Sequence, residues 1–224
     1  MPTRHRTDFR LSLVHLLLTV LAATTFASAG ATSLDEDFMI AVANDRASQV
    51  KDLLARGVDP NLVDANGEPA LVVAARAGSV NSVDVLLAAR ANVNARSKFG
   101  DTAIMAAAYT GNLTLVRTLR AKGASLENAG WTPLIYAATG GFDPVVSYLL
   151  AEGANINAPS PNGTTALMMA VRESKGSTVE LLIAKGADVN RRNQNDATAL
   201  DWALRQNEKK MAEQLRRAGA ASAN

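Results

Sequence analysis

The side chains able to do chemistry are few, and they are placed unevenly. The 224 residues include two histidines, His5 and His15, and no cysteine. Both histidines fall in an N-terminal stretch that reads as a removable leader. Without it, Ser-His-Asp and Cys-His catalysis, thiolate redox chemistry and ordinary zinc ligation have no residues to run on. Carboxylate chemistry is what remains, with Glu68 and Asp101 as the candidate acids. Neither sits in a paired-acid motif, and the glycines have the spacing of turns rather than of a phosphate cradle. The expectation is therefore a non-enzyme with no cofactor and no metal. A carboxylate-based hydrolase is the least supported alternative.

The leader reading rests on Arg4, Arg6 and Arg10 ahead of an apolar stretch from Leu11 to Ala23. Ala27 and Ala29 in "FASAG" then offer a small-x-small cleavage pattern. The expectation is a signal peptide over residues 1–29, a mature domain over 30–224, and export to a bacterial periplasm or beyond. The apolar stretch is shorter than the ~20 residues that cross a bilayer, so no stable membrane insertion of the mature chain is expected. The whole chain has 23 basic and 21 acidic residues, and without the leader it has 20 of each. The excess basic charge belongs to the leader, which removes the main support for a nucleic-acid partner.

What must position any functional side chain is a repeat. Leu71, Ile104, Leu134, Leu167 and Leu200 recur at spacings of 33, 30, 33 and 33. Gly67, Gly100, Gly130, Gly163 and Asp196 stand four residues before them; Arg90, Gly123, Gly153, Gly186 and Gly219 stand nineteen after. Phe38 and Gly57 fit the same frame as an incomplete first copy. A fixed period near 33 identifies a solenoid. Each copy reads as two helices and a turn. Thr102, Thr132, Thr165 and Thr198 are placed to cap the first helix, with Pro133 behind one of them. Gly78, Gly111 and Gly141 are placed to stop it in a left-handed conformation. Small residues such as Ala74, Ala107 and Ala138 line the first helix, and Val83, Leu86 and Leu87 with their equivalents give the second an apolar face. One copy cannot bury both faces, so only the stack folds. Ser33 and Glu36 are spaced for a capping box at the start. Arg90 is anomalous in a slot that other copies give to glycine.

The segments "GWTPLIYAATGG", "VSYLLAEGANINA" and "VELLIAKGADVN" resemble the ankyrin repeat, and the resemblance covers about residues 34–221. It implies an all-α solenoid of about six helix-turn-helix repeats with projecting β-hairpin loops, capped at both ends. The repeats would span about 34–63, 64–96, 97–126, 127–159, 160–192 and 193–221. The histidine that follows the leucine in the family pattern is absent, replaced by Val72, Met105, Ile135, Met168 and Asp201, so each copy is expected to be somewhat less rigid.

The resemblance further implies a monomeric scaffold that binds another protein along its concave side, through loop tips and the exposed end of the first helix. Phe99, Asp101 and Trp131 occupy tip slots, and Arg76, Tyr109 and Arg172 occupy helix-end slots. Phe99, Tyr109 and Trp131 form the candidate hot spot, with Arg76 and Arg172 flanking it. The other reading of Phe99 and Trp131 is packing against neighbouring loops, and Tyr136, Tyr148 and Trp202 are assigned to packing. The connection from Gly123 to Gly130 is three residues short, with Glu127 in an asparagine slot and Arg120 in a leucine slot. Two roles fit an exported array: an adaptor that supports or protects a partner enzyme, or an immunity protein that neutralises a toxin or enzyme.

Overall fold

Six pairs of short helices follow one another along the chain in the computed structural model, which describes residues 33–128 and 130–222. The expected leader, residues 1–29, lies outside the described residues. The pairs are α1 (Leu34–Ala43) with α2 (Ala47–Ala55), α3 (Ala70–Ala77) with α4 (Val80–Ala88), and α5 (Ala103–Tyr109) with α6 (Leu113–Ala121). Then come α7 (Pro133–Gly140) with α8 (Asp143–Ala151), α9 (Ala166–Arg172) with α10 (Gly176–Ala184), and α11 (Ala199–Arg205) with α12 (Lys209–Arg217). None exceeds ten residues, too few for an isolated helix to hold in water. Stability must come from stacking. The first helix of each pair packs on the first helix of the next, the second on the second, and the inner row is in the closer contact. Alanine explains that closeness: Ala74, Ala75, Ala107, Ala108, Ala137 and Ala138 are fully buried.

The repeating leucine slot is the centre of the core. Leu71, Ile104, Leu134, Leu167 and Leu200 are each at most 2% exposed, and Phe38 takes the same place in the first copy at 0%. These residues belong to one apolar cluster that runs the length of the array. The N-terminal caps named from the sequence form with one exception. Ser33 and Glu36 form the capping box, and Thr132, Thr165 and Thr198 accept from the backbone N–H groups of Ile135, Met168 and Asp201. Thr102 does not do the same. Its hydroxyl is buried with no partner among the described residues.

Successive copies are also tied by a side-chain ladder along the loops. Asn61, Asn94, Asn157 and Asn190 accept through Oδ1 from the backbone N–H of Asn92, Ser125, Asp188 and Ala221, at 2.7 to 2.9 Å. Glu127 keeps the rung at the shortened connection, its Oε1 accepting from Asn155 N–H at 3.1 Å. Arg120 likewise finds polar partners, with Nε donating to Glu152 Oε2 at 3.1 Å and Nη1 to Ala124 O at 3.2 Å.

Arg90 adopts φ 63°, where its glycine equivalents lie at 85° to 97°. A side chain in the left-handed region costs about 1–2 kcal/mol. Arg90→Gly is accordingly expected to stabilise the fold by roughly 1 kcal/mol and raise its melting temperature by about 2–4 °C in a thermal scan. An unchanged or lower melting temperature would show that this backbone carries no such strain.

Candidate interaction face

Four loops present their tips by the same local chemistry. Asp64, Ser97, Ser160 and Asn193 each begin a tight turn whose fourth residue donates back to their carbonyl: Gly67, Gly100 and Gly163 at 2.8–2.9 Å, and Asp196 at 2.9 Å. Their side chains close the same turns from within, as when Ser97 Oγ accepts from the N–H groups of Phe99 and Asp101 at 3.2 Å. The fourth residue must take a positive φ, which glycine supplies freely and Asp196 accepts at 56°. The tips are turns, and Val63 with Pro69 forms an isolated antiparallel bridge at the base of the first.

The shortened connection breaks this rule. Gly130, at φ 158°, is nearly extended rather than left-handed, and its N–H donates to Asn128 O at 2.8 Å. Trp131 instead enters directly from a clipped loop. Asn128 Nδ2 anchors that loop by donating to Gly100 O and Trp131 O, both at 3.3 Å. Beside it, Phe99 projects from the preceding tip at 59% exposure, with Lys98 Nζ 5.1 Å from its ring centre.

Trp131, Tyr136 and Tyr109 meet as one cluster across two repeats. Tyr136, on α7, has its ring centre 5.9 Å from that of Trp131 and 5.9 Å from that of Tyr109, the last residue of α5. The second pair is edge-to-face, the arrangement favoured by ring quadrupoles. All three rings are half-buried. The hydroxyl of Tyr136 donates to Asp101 Oδ1 at 2.8 Å, so this residue, assigned to packing by its sequence slot, is the hub of the cluster. Burial holds the Asp101 carboxyl above the usual carboxylate range, partly offset by the Tyr136 hydroxyl and by Arg76. Burial, then the neighbouring Asp101, raises the Tyr136 phenol strongly. Tyr109 is raised by burial and by the charge of Glu173.

The two arginines differ. Arg172, at the end of α9, pairs with Glu173 at 3.3 Å and keeps a third of its side chain exposed. Partial burial lowers its pKa. Arg76 is not an open flank. Its side chain is 9% exposed and ion-paired with Glu68, itself 7% exposed, and its Nε has no partner among the described residues. The structure thus joins Glu68, Arg76, Asp101, Tyr136, Trp131 and Tyr109 into one strip, with Arg172 and Glu173 beyond Tyr109. Glu68 and Asp101, the two acids weighed for catalysis, are occupied as hydrogen-bond acceptors in this strip. Among the described residues there is no group of three His, Cys, Asp or Glu placed to hold a metal, and no helix is long and apolar enough to cross a membrane.

A family model described as ankyrin repeats (3 copies) matches the chain over residues 38–127, 83–160, 123–193 and 153–223. The ankyrin repeat domain of human ASB11 is similar in structure, with a TM-score of 0.75 and 29% identity over 82% of this chain and 84% of that one. An ankyrin repeat domain from Acinetobacter baumannii AYE gives a TM-score of 0.71 and 31% identity over 82% of this chain and 98% of its own. Among curated proteins, an L-asparaginase of Dirofilaria immitis is 35% identical over 136 residues, 59% of this chain and 23% of that protein. A glycerophosphocholine phosphodiesterase of Schizosaccharomyces pombe is 36% identical over 122 residues, 54% of this chain and 8% of that protein. The matched part is thus under a quarter of either curated relative.

Proposed function

The chain belongs to the ankyrin-repeat family, and from that premise we propose that it is a non-catalytic scaffold whose strip from Glu68 to Arg172 is the seat of a protein partner. The observation that carries this reading is the Trp131–Tyr136–Tyr109 cluster. Trp131 and Tyr136 pack on the margin of the core, but these three rings stay only half-buried on the side of the first helices and loop tips, where they link α5, α7 and the loop before α7. Aromatic side chains that combine apolar area with a polar handle are the usual anchors of an interface. The clipped connection supports the same reading, because it delivers Trp131 to the side of Tyr136. On the N-terminal arginines, apolar stretch and alanine pair, we further propose that the chain works outside the cytoplasm, as an adaptor for an enzyme or other protein of the bacterial envelope. The activities named for the two curated relatives belong to proteins several times longer than the matched segment.

The test is affinity capture from the native envelope fraction, comparing the parent with Tyr109→Ala combined with Trp131→Ala. The parent is expected to hold one dominant protein, and the variant to retain under a tenth of it while its helical circular dichroism persists. A truncated anchor typically costs an interface about 2 kcal/mol or more, roughly thirtyfold in affinity. Equal capture by both proteins would remove the strip as the binding face.

A further inference from the structure

The charges on the strip do not balance, and the imbalance says what a partner should bring. Glu68 and Asp101 are two carboxylates that share one guanidinium, that of Arg76, which pairs with the first and acts electrostatically on the second. Arg172 and Glu173 cancel each other beyond Tyr109. Lys98 lies across Gly67 and over Phe99, at the loop tip. The group formed by Glu68, Arg76 and Asp101 therefore keeps one formal negative charge, and it adjoins three aromatic rings. The face of an aromatic ring attracts cations, more strongly where water is excluded. A carboxylate beside aromatic rings suits a cation. An acidic group would find Arg76 enclosed and already paired, and freeing it would break a buried ion pair.

We propose that the partner inserts a lysine or arginine side chain beside Asp101 and against the rings of Trp131 and Tyr136. This deepens the reading given above and rests on it, since the strip must be where the partner sits. Asp101 has the capacity for such a contact: the Tyr136 hydroxyl occupies Oδ1, and a carboxylate can accept about four hydrogen bonds. Its desolvation, only partly offset in the free protein by the Tyr136 hydroxyl and Arg76, is offset further when a cation arrives.

The chain has two tryptophans, Trp131 and Trp202, so a nitrogen-15 correlation spectrum offers one indole probe at the site and one on the last repeat. Titration of the full chain with N-acetyl-lysine methylamide or N-acetyl-arginine methylamide is expected to move the Trp131 indole signal saturably and leave that of Trp202 in place. N-acetyl-norleucine methylamide, the neutral counterpart, and N-acetyl-glutamate methylamide should need at least about tenfold higher concentration for the same shift. Asp101→Asn keeps an acceptor for Tyr136 and removes the charge. It is expected to weaken the lysine response about tenfold while melting no lower than the parent near neutral pH, because a carboxylate with a raised pKa withholds stability above that pKa. No movement of Trp131, equal movement by norleucine or glutamate, or a response unchanged in Asp101→Asn would each overturn the cation proposal. Capture that still depends on Tyr109 and Trp131 would then leave the interaction face standing, whereas capture indifferent to them removes the face itself.

Discussion

Glu68→Ala is expected to destabilise the fold by about 3–5 kcal/mol, the usual consequence of removing one partner from a buried ion pair. The side chains of Glu68 and Arg76 are 7% and 9% exposed, so water cannot take over when the carboxylate is lost. Arg76 Nε already lacks a partner among the described residues, and the variant would leave Nη1 stranded as well. For a domain of this size such a loss lowers the melting temperature by roughly 10 °C. The double replacement Glu68→Leu with Arg76→Met should recover most of it, since buried pairs exchanged for apolar residues of similar volume are often neutral or stabilising. Urea titration of the parent, the single variant and the double variant measures both effects. A loss below about 1 kcal/mol in Glu68→Ala would mean that the pair is screened like a surface one.

Gly140→Ala is expected to cost about 1–3 kcal/mol, although the same exchange inside an ordinary helix gains up to about 1 kcal/mol. Gly140 is the last residue of α7 and has helical backbone, so conformation does not demand glycine there. Space does. A methyl group on Gly140 would overlap Cε2 and Cδ2 of Phe142, and one on Gly111 in the preceding copy would stand 2.5 Å from Cδ1 of the same ring. Phe142 is therefore laid across two glycines of successive repeats, in the slot that Asn112 holds one copy earlier. Removing the obstacle should reverse the sign: in a Phe142→Asn background, Gly140→Ala is expected to be neutral or stabilising. The cycle of four proteins, read by thermal melting, isolates the contact. A destabilisation that persists without the phenylalanine would place its cause elsewhere.

The array was legible because a solenoid writes its contacts at a fixed interval. Each leucine slot meets its own copy and its neighbours, so a period near 33 predicts the core directly, and Phe38 follows from the frame alone. Arg90 was legible for the same reason, since a slot filled by glycine elsewhere declares its φ. Three features were not read. Asp45 and Ser174 take φ 55° and 53° in a stop slot given to glycine in other copies. Arg76 was placed as an open flank because its slot ends a first helix, yet Glu68, eight residues back, draws it under the surface. Tyr136 packs against the core as its slot implies, but the slot does not show that its hydroxyl crosses to Asp101, 35 residues earlier. That interval is itself a signal. Thr178 and Asp143 also bond at an offset of 35, so one period plus a few residues marks pairs that face each other across adjoining copies. What no offset reveals is which of those pairs remain open to a partner, because half-burial depends on side-chain size at several slots together.

The central claim, that a partner lies along the strip of Tyr109, Trp131 and Tyr136, is tested most directly by site-specific photocrosslinking in native cells. A photoreactive phenylalanine analogue would replace Tyr109 or Phe99 on the strip side, and exposed Lys51 or Ser147 on the second helices of their pairs. Covalent adducts of a single protein at positions 109 and 99, with none at 51 and 147, are the predicted result. Adducts confined to positions 51 and 147 would contradict it and move the binding surface to the second helices.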